Sequence, residues 1–206
     1  MEGKRLITIE GGIASGKTTL GNAIAETGRA AFLCEPISDW QSKYSANILD
    51  LFYKDKERFS YLFQNCAFLS RAKTWDEILN MTDHSTVFTE RSIFSDKFVF
   101  AKMLHESGDM LDIEWELYCD MWKWLNERWC CDPDKIVYVK TSPETCLDRI
   151  VNKRARGEEI SITIDYLRLL EDAHNSWLTN DQEHVIIVDG ESEICVDSLL
   201  DKLGIE

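Results

Sequence analysis

No apolar run in this sequence approaches membrane-spanning length, so no transmembrane helix is expected. The N-terminal stretch MEGKRLITIE runs straight into a strand-like segment, and neither a signal peptide nor a transit peptide fits there. The seven cysteines (Cys34, Cys66, Cys119, Cys130, Cys131, Cys146 and Cys195) are odd in number and show no C-x-x-C spacing. With four scattered histidines they form no zinc pattern. They read as reduced, mostly buried thiols of an intracellular, cytoplasmic protein. Positive charge is also scarce: 23 Lys and Arg stand against 37 Asp and Glu, a net charge of −14. Such a surface repels a nucleic-acid polymer or an anionic membrane, but it leaves room for a small nucleotide, which needs only a local basic site. There is no internal repeat, low-complexity segment or linker. A length of 206 residues with 44% hydrophobic content suits a single α/β domain over 1–206.

What the sequence does contain is a phosphate-binding signature. Leu6, Ile7, Thr8 and Ile9 read as a short buried strand. Gly11-Gly12-Ile13-Ala14-Ser15-Gly16-Lys17-Thr18 then fits G-x-x-x-x-G-K-[ST], followed by Thr19 and a helix from Leu20 that Gly28 ends. By average residue usage the bare pattern arises by chance in under about 1% of chains this long, and the flanking strand and helix lower that further. Gly11 and Gly16 permit backbone shapes that a Cβ blocks, and successive N–H groups converge at the positive end of a helix dipole. Lys17 can reach the β- and γ-phosphates, and the Thr18 hydroxyl can bind Mg²⁺. The alternative is a glycine turn beside a solvated lysine.

Further along, AAFLCEP reads as a second strand stopped by Pro36, which leaves Glu35 at a strand's carboxyl end, where open α/β sheets bind ligands. A solvated loop carboxylate is the other reading. Ser38–Asp50 and Asp55–Leu79 are expected to be helical. On the second of these, Gln64 and Arg71 share a face, with Tyr53 and Glu57 on the same side if the helix extends back to them. They are either a solvated edge or recognition groups for a flat polar ligand. Thr86–Glu90 reads as a third strand ending in Glu90-Arg91-Ser92, an acid and a base placed either for Mg²⁺ and phosphate or as a simple salt bridge. Ser92 is a candidate cap for the next helix.

Two helices follow, Phe94–His105 and Met110–Trp129. The second carries one apolar stripe of Leu111, Trp115, Tyr118, Trp122, Leu125 and Trp129, and another of Ile113, Leu117, Met121 and Trp124. Two apolar faces predict burial on two sides, which points to a homodimer formed through 94–105 and 110–129. Lys135–Lys140 is a fourth strand, and Ser142-Pro143-Glu144 opens a helix that runs into Arg149, Lys153, Arg154 and Arg156, expected to form a mobile basic loop. Ile164–Leu178 is helical, His184–Val188 a fifth strand and Glu193–Leu203 a closing helix. The expected fold is a five-stranded, mostly parallel sheet wrapped by helices: a P-loop kinase fold with a basic lid.

Together these segments resemble the deoxyribonucleoside kinase family over nearly the whole chain: IEGGIASGKTT, CEPISDW, YKDKERFSYLFQ, ERSIFSDKFVFA, KRARGEE and DYLRLLEDAHNSWL. The resemblance implies ATP-dependent phosphorylation of a deoxyribonucleoside 5′-hydroxyl in nucleotide salvage, with Mg²⁺. It implies that Glu35 is the base for that hydroxyl, Glu90 a Mg²⁺-associated acid and Arg91 a phosphate-side cation. Gln64 is similar to the family's base-binding glutamine. Tyr53 and Glu159 match the residues on the sugar 3′-hydroxyl, Trp40, Phe63 and Phe100 the aromatic cleft, and Arg154 and Arg156 the lid over the triphosphate. The lid here is one residue longer between Arg149 and Arg154 than the family pattern, and the adenine-side loop near Glu193 and Ile194 matches weakly. Arg71 and Asp96 resemble the deoxycytidine and purine kinases, whereas the thymidine-accepting members carry smaller or apolar residues there. A thymidine or broad-specificity kinase is the alternative.

Other classes fit less well. No D-x-x-G follows the third strand and no Asp follows Asn152-Lys153, against a regulatory GTPase. A nucleoside monophosphate kinase needs extra cations for its acceptor phosphate, where this chain offers Glu35. A non-catalytic subunit does not need Lys17, Glu35, Glu90 and Arg91 together.

Overall fold

The computed structural model describes residues 4–81, 84–129, 132–154, 156–179, 181 and 183–206. Cys130 and Cys131 and the side chain of Trp129 lie outside the described residues. In chain order the elements are β1 (Arg5–Glu10), α1 (Lys17–Glu26), β2 (Ala31–Leu33), α2 (Ile37–Ser42), α3 (Ile48–Lys54), α4 (Lys56–Met81) and β3 (Thr86–Glu90). Next come α5 (Ile93–Ser95), a π-helical stretch (Asp96–Ala101), α6 (Lys102–Glu106), α7 (Asp112–Trp129), β4 (Lys135–Lys140) and α8 (Pro143–Arg149). A second π-helical stretch (Ile150–Arg154) and a 3₁₀ turn (Gly157–Ser161) lead to α9 (Ile164–Leu178), β5 (Val185–Asp189) and α10 (Val196–Leu203).

The sheet order is β2-β3-β1-β4-β5, and every pairing is parallel rather than mostly so. Strands of such a sheet are covered on both faces, which is why they read as near-continuous apolar runs. Ile7, Ile9, Val137 and Val139 face α1 and α10 through Leu20, Ile24, Leu199 and Leu203. On the other side lies the larger core, where Ile93, Val99, Tyr118, Trp122 and Leu170 are buried. No described helix is long and apolar enough to cross a membrane.

Several boundaries differ from expectation for local reasons. The region 38–50 breaks into α2 and α3 because the Asn47 side chain caps α3, accepting from Asp50 N–H at 2.9 Å. Tyr53 therefore belongs to α3, and Glu57 on α4 is exposed rather than beside it. The closing helix starts at Val196, because Asp189 and Glu191 tie up the preceding loop with Ser192, Ser142 and Thr145. The segment 94–105 is helical, but its centre is a π turn. Of the five described cysteines, all are free and only Cys146 is buried, so burial is not the rule for these thiols.

The tryptophan-rich helix α7 buries one stripe and leaves the other bare. Tyr118, Trp122 and Leu125 are buried, whereas Ile113, Leu117 and Trp124 are exposed, Trp124 by 63%. Leu111, expected on the buried stripe, precedes the helix and is exposed. Leu62 and Leu69 of α4, two turns apart, are exposed as well, and α4 packs against α7. Residues 94–105 lie inward instead: Val99, Ala101, Met103 and Leu104 are all buried.

Candidate active site

The glycine-rich loop leaves the carboxyl end of the central strand. Gly11 has φ +146°, and a Cβ there would sit 2.5 Å from the Val139 carbonyl oxygen, so the loop can lie against β4 only with glycine. Gly16, at φ +111°, starts α1. Ala14 also adopts a left-handed conformation, φ +61°, which the motif does not announce. Ala14, Ser15, Gly16, Lys17, Thr18 and Thr19 line a large cavity together with Arg154 and Arg156 of the lid. Glu193 and Ile194 close its far end. Gly11 and Gly12 are not among the residues lining this cavity, and Ile13 lines a neighbouring cleft.

Lys17 is buried rather than solvent-facing. Its ammonium donates to the Gly12 carbonyl at 2.7 Å and stands 4.0 Å from Glu90. Burial, helped by Arg91, lowers its pKa to about 8, against the pull of Glu90 and Glu35. The Thr18 hydroxyl donates to both oxygens of Glu90, at 3.0 and 2.9 Å.

Glu35 lies two residues past β2. Its Oε1 accepts from Arg71 Nη2 at 2.8 Å and lies 3.3 Å from Arg91 Nε. Arg71 Nε in turn reaches both oxygens of Asp96, at 2.9 and 2.8 Å. One guanidinium on α4 thus ties Glu35 to the π-helical stretch. Burial works to raise the Glu35 pKa, but Arg71, Arg91 and Lys17 outweigh it and hold the carboxyl well below the usual range. Glu35 is therefore ionised at every working pH.

Beside this network lies the second cleft. Trp40, Tyr53, Phe63, Gln64, Arg71, Arg91, Asp96, Phe100 and Glu159 all line it with Glu35. Trp40 and Phe63 meet edge to face at 5.3 Å, and Phe52 stacks on Phe63 at 4.7 Å. The Arg91 guanidinium sits 4.6 Å from the Phe100 ring. Buried Gln64 Oε1, Arg71 Nη1 and Glu159 Oε2 have no partner among the described residues, so the cleft presents unused acceptors and a donor. Tyr53 stays protonated, its pKa raised by burial and by Tyr166 and Glu159, so its phenol can donate. Lys17, Glu90 and Arg154 line both cavities and mark where they meet.

Sequence reading missed Ile37, Leu49, Phe52, Ala67 and Tyr166 of the cleft wall, which are apolar or aromatic side chains indistinguishable from core residues until the fold is built. The basic run does two things. Arg149, which lines the large cavity with Lys153, donates through its guanidinium to the carbonyls of Ser15 at 3.0 Å, Ala14 at 3.3 Å and Gly190 at 2.8 Å, and so also clamps the loop. Arg154 and Arg156 both pair with Glu159 Oε1, at 3.5 and 3.4 Å. The neighbouring Glu158 accepts from Gln41 and Asn47, which ties the lid turn to α2 and the start of α3.

A family model described as deoxynucleoside kinase matches residues 7–200, a span that holds every residue of both cavities. The chain belongs to the deoxynucleoside kinase family. This deoxynucleoside kinase is 40% identical over 203 residues to a probable deoxycytidine kinase of fowlpox virus, covering 96% of this chain and 84% of that one. It is 35% identical over 201 residues to deoxycytidine kinase of Mus musculus, with 86% and 77% covered. It is also 35% identical over 200 residues to a mitochondrial deoxyguanosine kinase of Xenopus laevis, with 87% and 74% covered.

Proposed function

We propose that this kinase transfers the γ-phosphoryl group of ATP to the 5′-hydroxyl of a deoxyribonucleoside, with deoxycytidine or a purine deoxynucleoside favoured over thymidine. The observation that carries this reading is the meeting of the two cavities at Lys17, Glu90 and Arg154, beside an ionised Glu35. Phosphoryl transfer asks for in-line positioning and charge neutralisation more than for covalent help. The triphosphate lies along the loop 11–19 under Arg154 and Arg156. The nucleoside lies in the aromatic cleft, with Gln64 on its base and Tyr53 and Glu159 on its 3′-hydroxyl.

Glu35 receives the 5′-hydroxyl hydrogen. With its pKa held low it is a weak base, which suits a loose transition state in which the hydroxyl proton leaves late. Arg91 and Lys17 balance the negative charge that gathers on the transferring group. Thr18 and Glu90 offer Mg²⁺ an all-oxygen pair. That fits a metal that keeps waters and phosphate oxygens in its shell, and Mg²⁺ would supply charge neutralisation on the β- and γ-phosphates. A homodimer through the exposed face of α7, part of the 110–129 segment expected at the interface, accompanies this reading.

A coupled ADP-release assay over a panel of deoxynucleosides tests it. Turnover with deoxycytidine or a purine deoxynucleoside, exceeding that with thymidine, is expected. Turnover only with nucleoside monophosphates, or with none of the panel, overturns it.

A further inference from the structure

The central strand ends in a carboxylate that the chemistry above does not use. Glu10 is fully buried. Its Oε1 lies 2.6 Å from Ser92 Oγ, and its Oε2 is buried with no partner among the described residues. Ser92 Oγ also accepts from the Ser95 N–H at 3.3 Å, so the hydroxyl hydrogen of Ser92 goes to Glu10. A half-satisfied buried carboxylate is a poor way to stabilise a fold, since an apolar or amide side chain of similar size avoids the desolvation. Its placement calls for another reason.

That reason lies one residue away. Arg91 has φ +65°, in the left-handed region that a residue with a long side chain avoids. Three bonds hold it there. The Arg91 N–H donates to the Ile9 carbonyl at 3.0 Å, the Thr89 hydroxyl donates to the Arg91 carbonyl at 3.0 Å, and Ser92 is tied to Glu10. The last two residues of β1 thus grip both sides of the turn. Because of the turn, the Arg91 guanidinium lies over Phe100 and against Glu35, with Nη1 buried and unpartnered.

We infer that Glu10 is a positioning residue for the phosphoryl transfer: through Ser92 it holds the left-handed turn that aims Arg91 at Glu35 and the reacting phosphate. Burial raises the Glu10 pKa to about 7, against the pull of Ser92 and Arg91, so the environment tolerates the group rather than being built to relax it. The inference rests on the proposed role of Arg91 as the cation beside the transferring group, and Arg91→Ala tests that role by itself.

The experiment compares kcat, KM for ATP and thermal midpoint across Glu10→Ala, Glu10→Gln, Ser92→Ala and Arg91→Ala, and the doubles Glu10→Ala/Ser92→Ala and Glu10→Ala/Arg91→Ala. Arg91→Ala is expected to lower kcat about 100-fold or more. Glu10→Ala and Ser92→Ala should each lower it about tenfold or more, with KM for ATP within about threefold. Neither double should fall below its worse single, because each pair acts as a unit. Glu10→Gln, whose amide oxygen still accepts the Ser92 hydroxyl, should keep kcat within about threefold of wild type. If Glu10→Ala fails to fold, the comparison of Ser92→Ala with Glu10→Gln carries the test alone. An unchanged kcat in folded Glu10→Ala and in Ser92→Ala, measured well below their midpoints, overturns the inference. So does a Glu10→Ala loss that adds in full to that of Arg91→Ala. An unchanged kcat in Arg91→Ala overturns the role of Arg91 and the inference with it.

Discussion

At the scale of single residues, charge decides more than shape. Glu35 is an anion held between two guanidiniums, so its replacement by Gln keeps the volume and removes both the proton acceptor and the anchor of Arg71 and Arg91. Glu35→Gln should lower kcat by roughly 100- to 10,000-fold with ATP affinity little changed, and an equal loss of ATP affinity, measured by equilibrium binding, contradicts the assignment. Lys17 gives a pH dependence of definite sign. Its pKa is lowered to about 8, so the free enzyme loses this positive charge as pH rises through that value. The kcat/KM for ATP, which reports free enzyme and free substrate, should decline above about pH 8, while kcat holds to higher pH because bound phosphates restore the ammonium. A kcat/KM profile flat to pH 9.5, beyond about one unit above that pKa, rules Lys17 out as the group concerned. Because Lys17 is buried, Lys17→Ala should abolish turnover while removing a desolvation cost, so the fold should survive it.

At the scale of elements, the Arg71–Asp96 pair joins α4 to the π-helical stretch within the cleft that Gln64 also lines. A planar donor fork held beside an acceptor suits the exocyclic groups of cytosine and purines, whereas the 5-methyl group of thymine prefers an apolar wall. Arg71→Met combined with Asp96→Ala should shift the ratio of kcat/KM towards thymidine. The same change also frees Glu35 of one of its two cations, so absolute turnover should fall in the same variant. An unchanged thymidine ratio shows that the pair does not read the base.

These elements also show how far the sequence could be read. Helices with strong caps and whole turns emerge at or near their observed bounds. Ser142 caps α8 with Pro143 behind it, and Ile164–Leu178 needs no correction. The strand ends carrying Glu35, Glu90 and Arg91 were legible because Pro36 and a change of polarity stop each strand. Nothing local marked the break at Asn47, the bare face of α7 or the clamp by Arg149. A cap needs its partner's geometry, and exposure depends on what covers a face. An arginine that serves carbonyls looks like any other in a basic run. Glu10 was hidden for a related reason, since it closes an apolar strand and its partner Ser92 lies 82 residues away.

At the scale of the whole molecule, the proposed dimer can be tested at the bare face of α7. Ile113, Leu117 and Trp124 on α7, and Leu62 and Leu69 on α4, are each about half exposed or more, and the two helices pack together. Large apolar side chains bared on two packed helices mark a candidate interface. Sedimentation at micromolar concentration should give a dimer, and Trp124→Glu with Leu117→Glu should give a folded monomer. A wild-type monomer under those conditions rules the interface out.

The strand order has a consequence for how the protein comes into being. β1 is the first of the five strands along the chain, yet it lies at the centre of the sheet, and Leu6 is tied to Asp134, 128 residues downstream. The supports of the glycine loop come later still: Val139 beneath Gly11, Thr141 and Arg149 on the Ser15 carbonyl, and Gly190 beyond. On the ribosome, the glycine-rich segment therefore emerges before most of the groups that support it. Contacts so distant along the chain form slowly and leave sticky intermediates for chaperones to shield. Nucleotide capture at the loop should therefore require the strands and helices that follow it.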